Sequence, residues 1–166
     1  PDTPRPQRPI LLVSSTSWTA DEDFSVLLDA VTNCDRMISQ NLAKFPYSPS
    51  IRFVVTGKGD LREYYEQRIL ELQLSHFTFY TEFLTFADYA KLLGSADFGV
   101  SLHFSSSKLD LPMKVVDMFG SELPVIAYDY GCLSELVQNG KNGFTFTNQE
   151  QLADILFQKQ FLLSQA

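Results

Sequence analysis

A chain of 166 residues with 45% hydrophobic and 20% charged residues has the balance of one globular domain with a single substantial core. Its formal net charge of -7 excludes a non-specific binder of long nucleic acids, which needs a basic surface, but leaves room for a small phosphorylated ligand that meets only local positive potential. Two cysteines, Cys34 and Cys132, cannot build a disulfide framework and show no metal-ligand spacing, so a reducing environment is expected. No apolar run approaches the roughly 20 residues that cross a bilayer. Residues 1–8, with Pro1, Pro4 and Pro6, read as a linker ahead of one domain over 9–166.

Short apolar runs alternate with amphipathic stretches along the chain. Residues 10–13 read as a buried strand, and Phe24, Leu27, Leu28 and Val31 then recur at helical spacing. Residues 40–50, carrying Pro46 and Pro49, predict a surface loop before a second strand at 51–56. Asp60 is placed to cap a helix bearing Leu61, Tyr65, Ile69 and Leu72. A strand at 77–80 leads to Thr85-Phe86-Ala87-Asp88, which has the form of a capping box. Strands at 98–102, 124–128 and 144–147 follow. A helix from Pro112 to about Phe119 separates the first two, and one through Leu133, Leu136 and Val137 separates the second two. Asn148 is expected to cap the final helix. Alternating βα units of this kind predict an α/β fold, a doubly wound Rossmann-like parallel sheet of about six strands.

Ligands in such sheets bind beyond the carboxyl ends of the strands, which selects the loops at 14–19, 57–60, 81–85 and 104–114. Gly57-Lys58-Gly59 could bring backbone N–H groups and one cation to an anion, or could simply make a tight turn. Ser105, Ser106 and Ser107 offer hydroxyls just ahead of Asp110, Leu111, Pro112 and Met113. Lys114 falls in the first turn of the predicted helix, where a cation opposes the helix dipole at a cost of about 0.3–1 kcal/mol. A bound anion would compensate it, and so would Asp117 one turn along, or solvent. Asp117 could instead accept from a ribose diol, and Asp110 from sugar hydroxyls or from the helix start. Asp21-Glu22-Asp23 suits a helix N-terminus better than a metal site, and no catalytic triad or zinc-ligand pattern stands out. Among the aromatic residues, Trp18, Phe83 and Phe86 are candidates for stacking on a base, while most others must form core. His76 is expected to start a strand and His103 to end one.

The blocks at 14–19, 56–59 and 87–89, and above all residues 105–120, resemble those of the chitobiosyldiphosphodolichol β-mannosyltransferases, a family of GT-B glycosyltransferases. The resemblance runs from about Pro9 to Leu156. It implies the C-terminal, nucleotide-sugar-binding half of a two-domain enzyme, with the acceptor domain and membrane anchor in the other half. The implied reaction transfers mannose from GDP-mannose, with inversion, to the chitobiose of a dolichyl-diphosphate glycan in a β-1,4 linkage. Its implied place is the cytosolic face of the endoplasmic reticulum membrane, with other mannosyltransferases there as possible neighbours. The donor would meet Ser15, Thr16, Gly57, Lys58, Gly59, Ser105, Ser106, Ser107, Asp110, Leu111, Pro112, Met113, Lys114 and Asp117. Asp117 would take the ribose and Pro112 to Lys114 the diphosphate. No tightly bound cofactor is implied; a Mg2+ ion could accompany the diphosphate, although no metal site is visible. The general base is expected from the other half, so the fragment alone is expected to be inactive.

Lys108 and Glu122 depart from the family pattern, which has glycine and a small residue at those places. They favour the alternative, a non-catalytic paralogue that keeps the fold and serves as an interaction module. A phosphoacceptor signalling domain would want clustered carboxylates at the strand ends, where this chain has serines and a threonine.

Overall fold

The computed structural model describes residues 8–104 and 109–165. Six strands, β1 (Ile10–Ser15), β2 (Ile51–Thr56), β3 (Phe77–Glu82), β4 (Phe98–Ser101), β5 (Val125–Tyr128) and β6 (Gly143–Phe146), form one sheet in the order β3-β2-β1-β4-β5-β6. Every neighbouring pair is parallel, so each connection must cross over a face of the sheet. Among the described residues, four helices lie in these crossovers, α1 (Ser25–Gln40), α2 (Arg62–Glu71), α3 (Phe86–Ser95) and α4 (Met113–Gly120), and α5 (Gln149–Gln165) follows β6. The expected α/β, doubly wound architecture is the one observed.

The two faces bury separate clusters because strand side chains alternate. Leu12 points into a core shared with Phe24, Leu27, Leu28 and Val31 of the first crossover, Tyr65 of α2, and Leu152 and Leu156 of α5. Its neighbour Val13 points the other way, to Leu93 of α3 and Val115 and Met118 of α4. Gly99 of β4 gives α4 its seat, since a Cβ there would stand 2.3 Å from the Met118 sulfur.

Local signals set several boundaries as expected. Thr85 caps α3, its hydroxyl oxygen accepting from the Asp88 N–H at 3.2 Å. The Asn148 carboxamide oxygen accepts the Gln151 N–H at 2.9 Å at the start of α5. Elsewhere the structure differs. Pro112 is the N-cap rather than the first helical residue, and its own side chain makes no cap bond. Asp60 does not cap α2, whose N-cap is Leu61 without a side-chain bond. The helix expected through Leu133, Leu136 and Val137 shrinks to a 3-10 turn, Leu133–Glu135. The Asn142 carboxamide ends it by accepting the Gln138 N–H at 2.7 Å and donating to the Leu136 carbonyl at 2.9 Å. A second 3-10 turn, Leu42–Lys44, lies within the predicted 40–50 loop.

A candidate donor-binding cleft

The sheet order reverses between β1 and β4, and a cleft of about 590 Å3 opens at the carboxyl ends of the strands there. Its floor begins where β1 and β2 end side by side, with the Ser15 and Thr56 hydroxyls 3.0 Å apart. Ser15 donates to the Tyr89 hydroxyl oxygen at 2.9 Å, which ties α3 to the end of β1. Burial raises the Tyr89 phenol above its usual range; the Ser15 bond opposes this, and the nearby Asp117 carboxylate adds to it.

Three strand ends with the loops that follow them and two helices supply the lining. Ser15, Thr16, Gly57, Lys58, Lys114 and Asp117 all line the cleft, together with Ser17, Thr56, Phe83, Leu84, Phe86 and Tyr89. Residues predicted separately on β1, the glycine turn and α4 therefore meet in one hollow. Thr56 and Tyr89 belong to the blocks that carry the family resemblance but were not among the expected donor contacts; tertiary packing brings them into the lining.

The glycine turn does more than approach a ligand. A Cβ on Gly57 would lie 1.8 Å from the Thr16 carbonyl oxygen, and one on Gly59 would lie 1.8 Å from that of Ser17. The glycines therefore let two loops pack backbone to backbone, and the Leu61 N–H reaches the Trp18 carbonyl at 3.0 Å. Gly59 is spent on this contact and does not line the cleft. Lys58 does line it, with its ammonium 3.8 Å above the Phe83 ring centroid.

The aromatic candidates separate by burial. Trp18 is only 1% exposed and packs on Phe24 with ring centroids 4.8 Å apart, so it belongs to the core and cannot stack on a base. Phe83 and Phe86 stand at the cleft, 56% and 85% exposed. His76 is structural, its ring nitrogens facing the Pro49 carbonyl at 3.2 Å and the Ser39 hydroxyl at 3.1 Å.

Lys114 has a partner that neither reading of its charge foresaw. Its Nζ donates to Glu22 Oε1 at 2.5 Å, from the middle of the acidic run expected to serve a helix N-terminus. Only Asp23 does helix-end work, its Oδ1 accepting the Ser25 N–H at 3.0 Å. The Glu22 side chain is 7% exposed and that of Lys114 30%. Burial pushes the Glu22 carboxyl up, but bonds from Lys114 and Thr16, the Lys114 charge and the Ser17 N–H together hold it below the usual range.

A second hollow of about 530 Å3 adjoins the first through Ser17 and holds Glu22, His103 and Asp110. His103 Nδ1 lies 3.9 Å from Glu22 Oε1. The Asp110 backbone is fixed by the Tyr130 hydroxyl, which donates to its carbonyl at 2.6 Å. Leu111, Pro112 and Met113 carry the chain into α4 without lining either hollow. Ser105, Ser106, Ser107 and Lys108 lie outside the described residues. Among the described residues, no three His, Cys, Asp or Glu side chains gather as they would around a metal ion, and no helix is long and apolar enough to cross a membrane.

Comparison with known proteins identifies the family. Residues 8–158 match the family model of glycosyl transferases group 1. A chitobiosyldiphosphodolichol beta-mannosyltransferase of Mus musculus is 54% identical over 155 residues, covering 92% of this chain and 31% of the mouse protein. The UDP-glycosyltransferase TURAN of Arabidopsis thaliana is 50% identical over 158 residues, covering 90% of this chain and 34% of that protein. The chain thus spans about a third of the length of these relatives. Among solved structures, Anabaena Alr3699/HepE in complex with UDP and glucose superposes with a TM-score of 0.66 at 21% identity, over 94% of this chain and 41% of that one. The sheet is that of one half of a GT-B enzyme. The chain belongs to the group 1 glycosyltransferases.

Proposed function

We propose that the chain is the donor-binding half of a β-mannosyltransferase that moves mannose from GDP-mannose to a dolichyl-diphosphate chitobiose. The observation that carries this reading is the meeting of Lys58, Lys114 and Asp117 with the Ser15–Thr16 strand end in one cleft at the sheet's switch point. Lys114 and Asp117 stand three residues apart on α4, so a single helix face offers a cation and a carboxylate to one ligand. The cation suits a diphosphate. The carboxylate suits the paired hydroxyls of a ribose.

In this reading the N–H groups at the start of α4 and Lys114 bear the charge that grows on the diphosphate as the sugar leaves, an electrostatic contribution that often dominates transfer chemistry. Lys58 approaches from the opposite loop. Phe83 and Phe86 offer apolar faces where the base would lie, and Asp110, in the second hollow, lies toward the sugar. The acceptor hydroxyl belongs to the chitobiose; the site that binds it, the base that takes its proton and the membrane attachment at the endoplasmic reticulum come from the remaining two thirds of the enzyme. Similarity to the mouse mannosyltransferase supports mannose as the sugar transferred.

Calorimetric titration of the chain with GDP, GDP-mannose, UDP and UDP-glucose tests the reading. Saturable binding that favours the guanine nucleotides is the expected result. Failure to bind any nucleotide would leave a glycosyltransferase fold with no donor function in this chain.

A further inference from the structure

One buried carboxylate, in the wall of the hollow that adjoins the cleft, has no place in the donor reading. Glu22 is a buried carboxylate next to the site of a polyanion, an arrangement that by itself repels the ligand. It is also firmly held: Oε1 takes the Lys114 ammonium at 2.5 Å, and Oε2 takes the Ser17 N–H at 3.2 Å. With both oxygens engaged and the side chain 7% exposed, it cannot swing away when an anion arrives. Lys114 can still serve an anion, because an ammonium has three N–H donors and Glu22 Oε1 takes one. The remaining donors are open to the cleft that Lys114 lines.

We propose that Glu22 is a fixed counter-anion of the donor site, a positioning residue that aims Lys114 into the cleft and sets how strongly the site prefers donor over product. The inference rests on the reading that Lys114 meets the diphosphate. The carboxylate lies one ion-contact distance from the ammonium, in the wall of the adjoining hollow rather than in the lining of the cleft. A phosphate bound to Lys114 would therefore feel a full negative charge a few ångströms further on, in a partly desolvated wall where Coulomb forces are weakly screened. That repulsion scales with the charge of the ligand. A free nucleoside diphosphate carries a terminal phosphate with a second ionisation near neutrality, so it is more negative than the sugar-linked donor. Glu22 consequently weakens product binding more than donor binding, and the spent nucleotide leaves faster. Some stabilisation of the leaving group is given up in exchange, which suits an enzyme whose turnover depends on product release.

The test compares wild-type chain with Glu22→Gln, Lys114→Ala and the double variant by calorimetry, and follows GDP dissociation by stopped flow. Glutamine keeps the shape and an acceptor for Ser17 but removes the charge. The expected result is that Glu22→Gln binds GDP roughly tenfold tighter and GDP-mannose by a smaller factor, with slower GDP dissociation. A merely structural role cannot give this outcome, because a loosened site loses affinity. The gain should vanish in the Lys114→Ala background. Unchanged or weaker GDP binding in Glu22→Gln, or equal tightening toward GDP and GDP-mannose, would overturn the proposal. Should Glu22→Gln not fold, Glu22→Asp retains the charge and is expected to keep the wild-type ratio of GDP to GDP-mannose affinity; a ratio shifted toward GDP would overturn it. Failure of the underlying site reading shows separately, as a Lys114→Ala variant that binds GDP like wild type.

Discussion

Gly57 faces the Thr16 carbonyl so closely that a Cβ would stand 1.8 Å from that oxygen, at a φ of 141° that side-chain-bearing residues rarely adopt. The contact joins the end of β2 to the loop leaving β1, the two segments that form the cleft floor. Gly57→Ala must therefore push these backbones apart as well as strain its own. A loss of at least about 2 kcal/mol is expected in urea unfolding, with nucleotide binding weakened in the refolded variant. Gly140→Ala is the control: it also sits at positive φ, but a Cβ there meets nothing within 4 Å. Its cost should be near 1 kcal/mol.

Asp117 lines the cleft one helical turn from Lys114, and its proposed work is on the ribose rather than the phosphates. Asp117→Ala is expected to weaken GDP and GDP-mannose binding by roughly 1–3 kcal/mol, the range for a charged hydrogen bond lost. Inorganic pyrophosphate, which has no ribose, should bind the variant no worse than wild type. Calorimetry with the three ligands separates a ribose contact from a general loss of the site.

The Glu22–Lys114 pair makes stability depend on pH with a definite sign. The carboxyl of Glu22 is depressed in the folded chain, so its contribution is present above the unfolded carboxylate range near about 4.3. That contribution fades as pH falls through the lower, folded value, because protonation removes the charge that Lys114 and the Ser17 N–H favour. Urea unfolding should therefore find wild type more stable than Glu22→Gln at pH 7, with the gap closing in acid. A gap that stays constant down to pH 2 would place the effect in packing.

Glu122 follows α4 with a φ of 57°, in the left-handed region. There the Leu123 N–H returns to the Met118 carbonyl at 2.9 Å and the Glu122 N–H to that of Phe119 at 3.0 Å. This is a helix ending that ordinarily takes glycine, so the departure from the family pattern at this position strains the turn without unmaking it. Glu122→Gly is expected to stabilise the chain by about 1 kcal/mol, read as a higher urea midpoint with an unchanged slope.

The two cysteines should react differently. Cys34 is 0% exposed inside the core beside α5. Burial, then the charges of Asp35 and Asp154, push its thiol far above the usual range. Cys132 is partly exposed. A thiol reagent at pH 8 should modify one cysteine in the native chain and two in urea; mass spectrometry of the peptides should find the native label on Cys132.

Sequence alone determined the sheet. Buried parallel strands are continuous apolar runs, and 51–56 and 98–102, the latter one residue longer than the strand observed, announce themselves without help from distant residues, as does the Phe24, Leu27, Leu28, Val31 face that covers them. The Thr85 and Asn148 caps were legible for the same reason: a cap is a bond across three residues. The run through Leu133 and Val137 misled because its apolar spacing is helical while Asn142, several residues on, takes the backbone bonds that a helix would need. The site was only partly legible. Lys58, Lys114 and Asp117 stood out by type and position, but whether they meet depends on the strand order and on the depth to which Gly99 admits Met118. Only the tertiary structure decided the fate of Glu22, 92 residues from Lys114. An ion pair at that separation leaves no local period, so composition could count the charge but could not say what it neutralises.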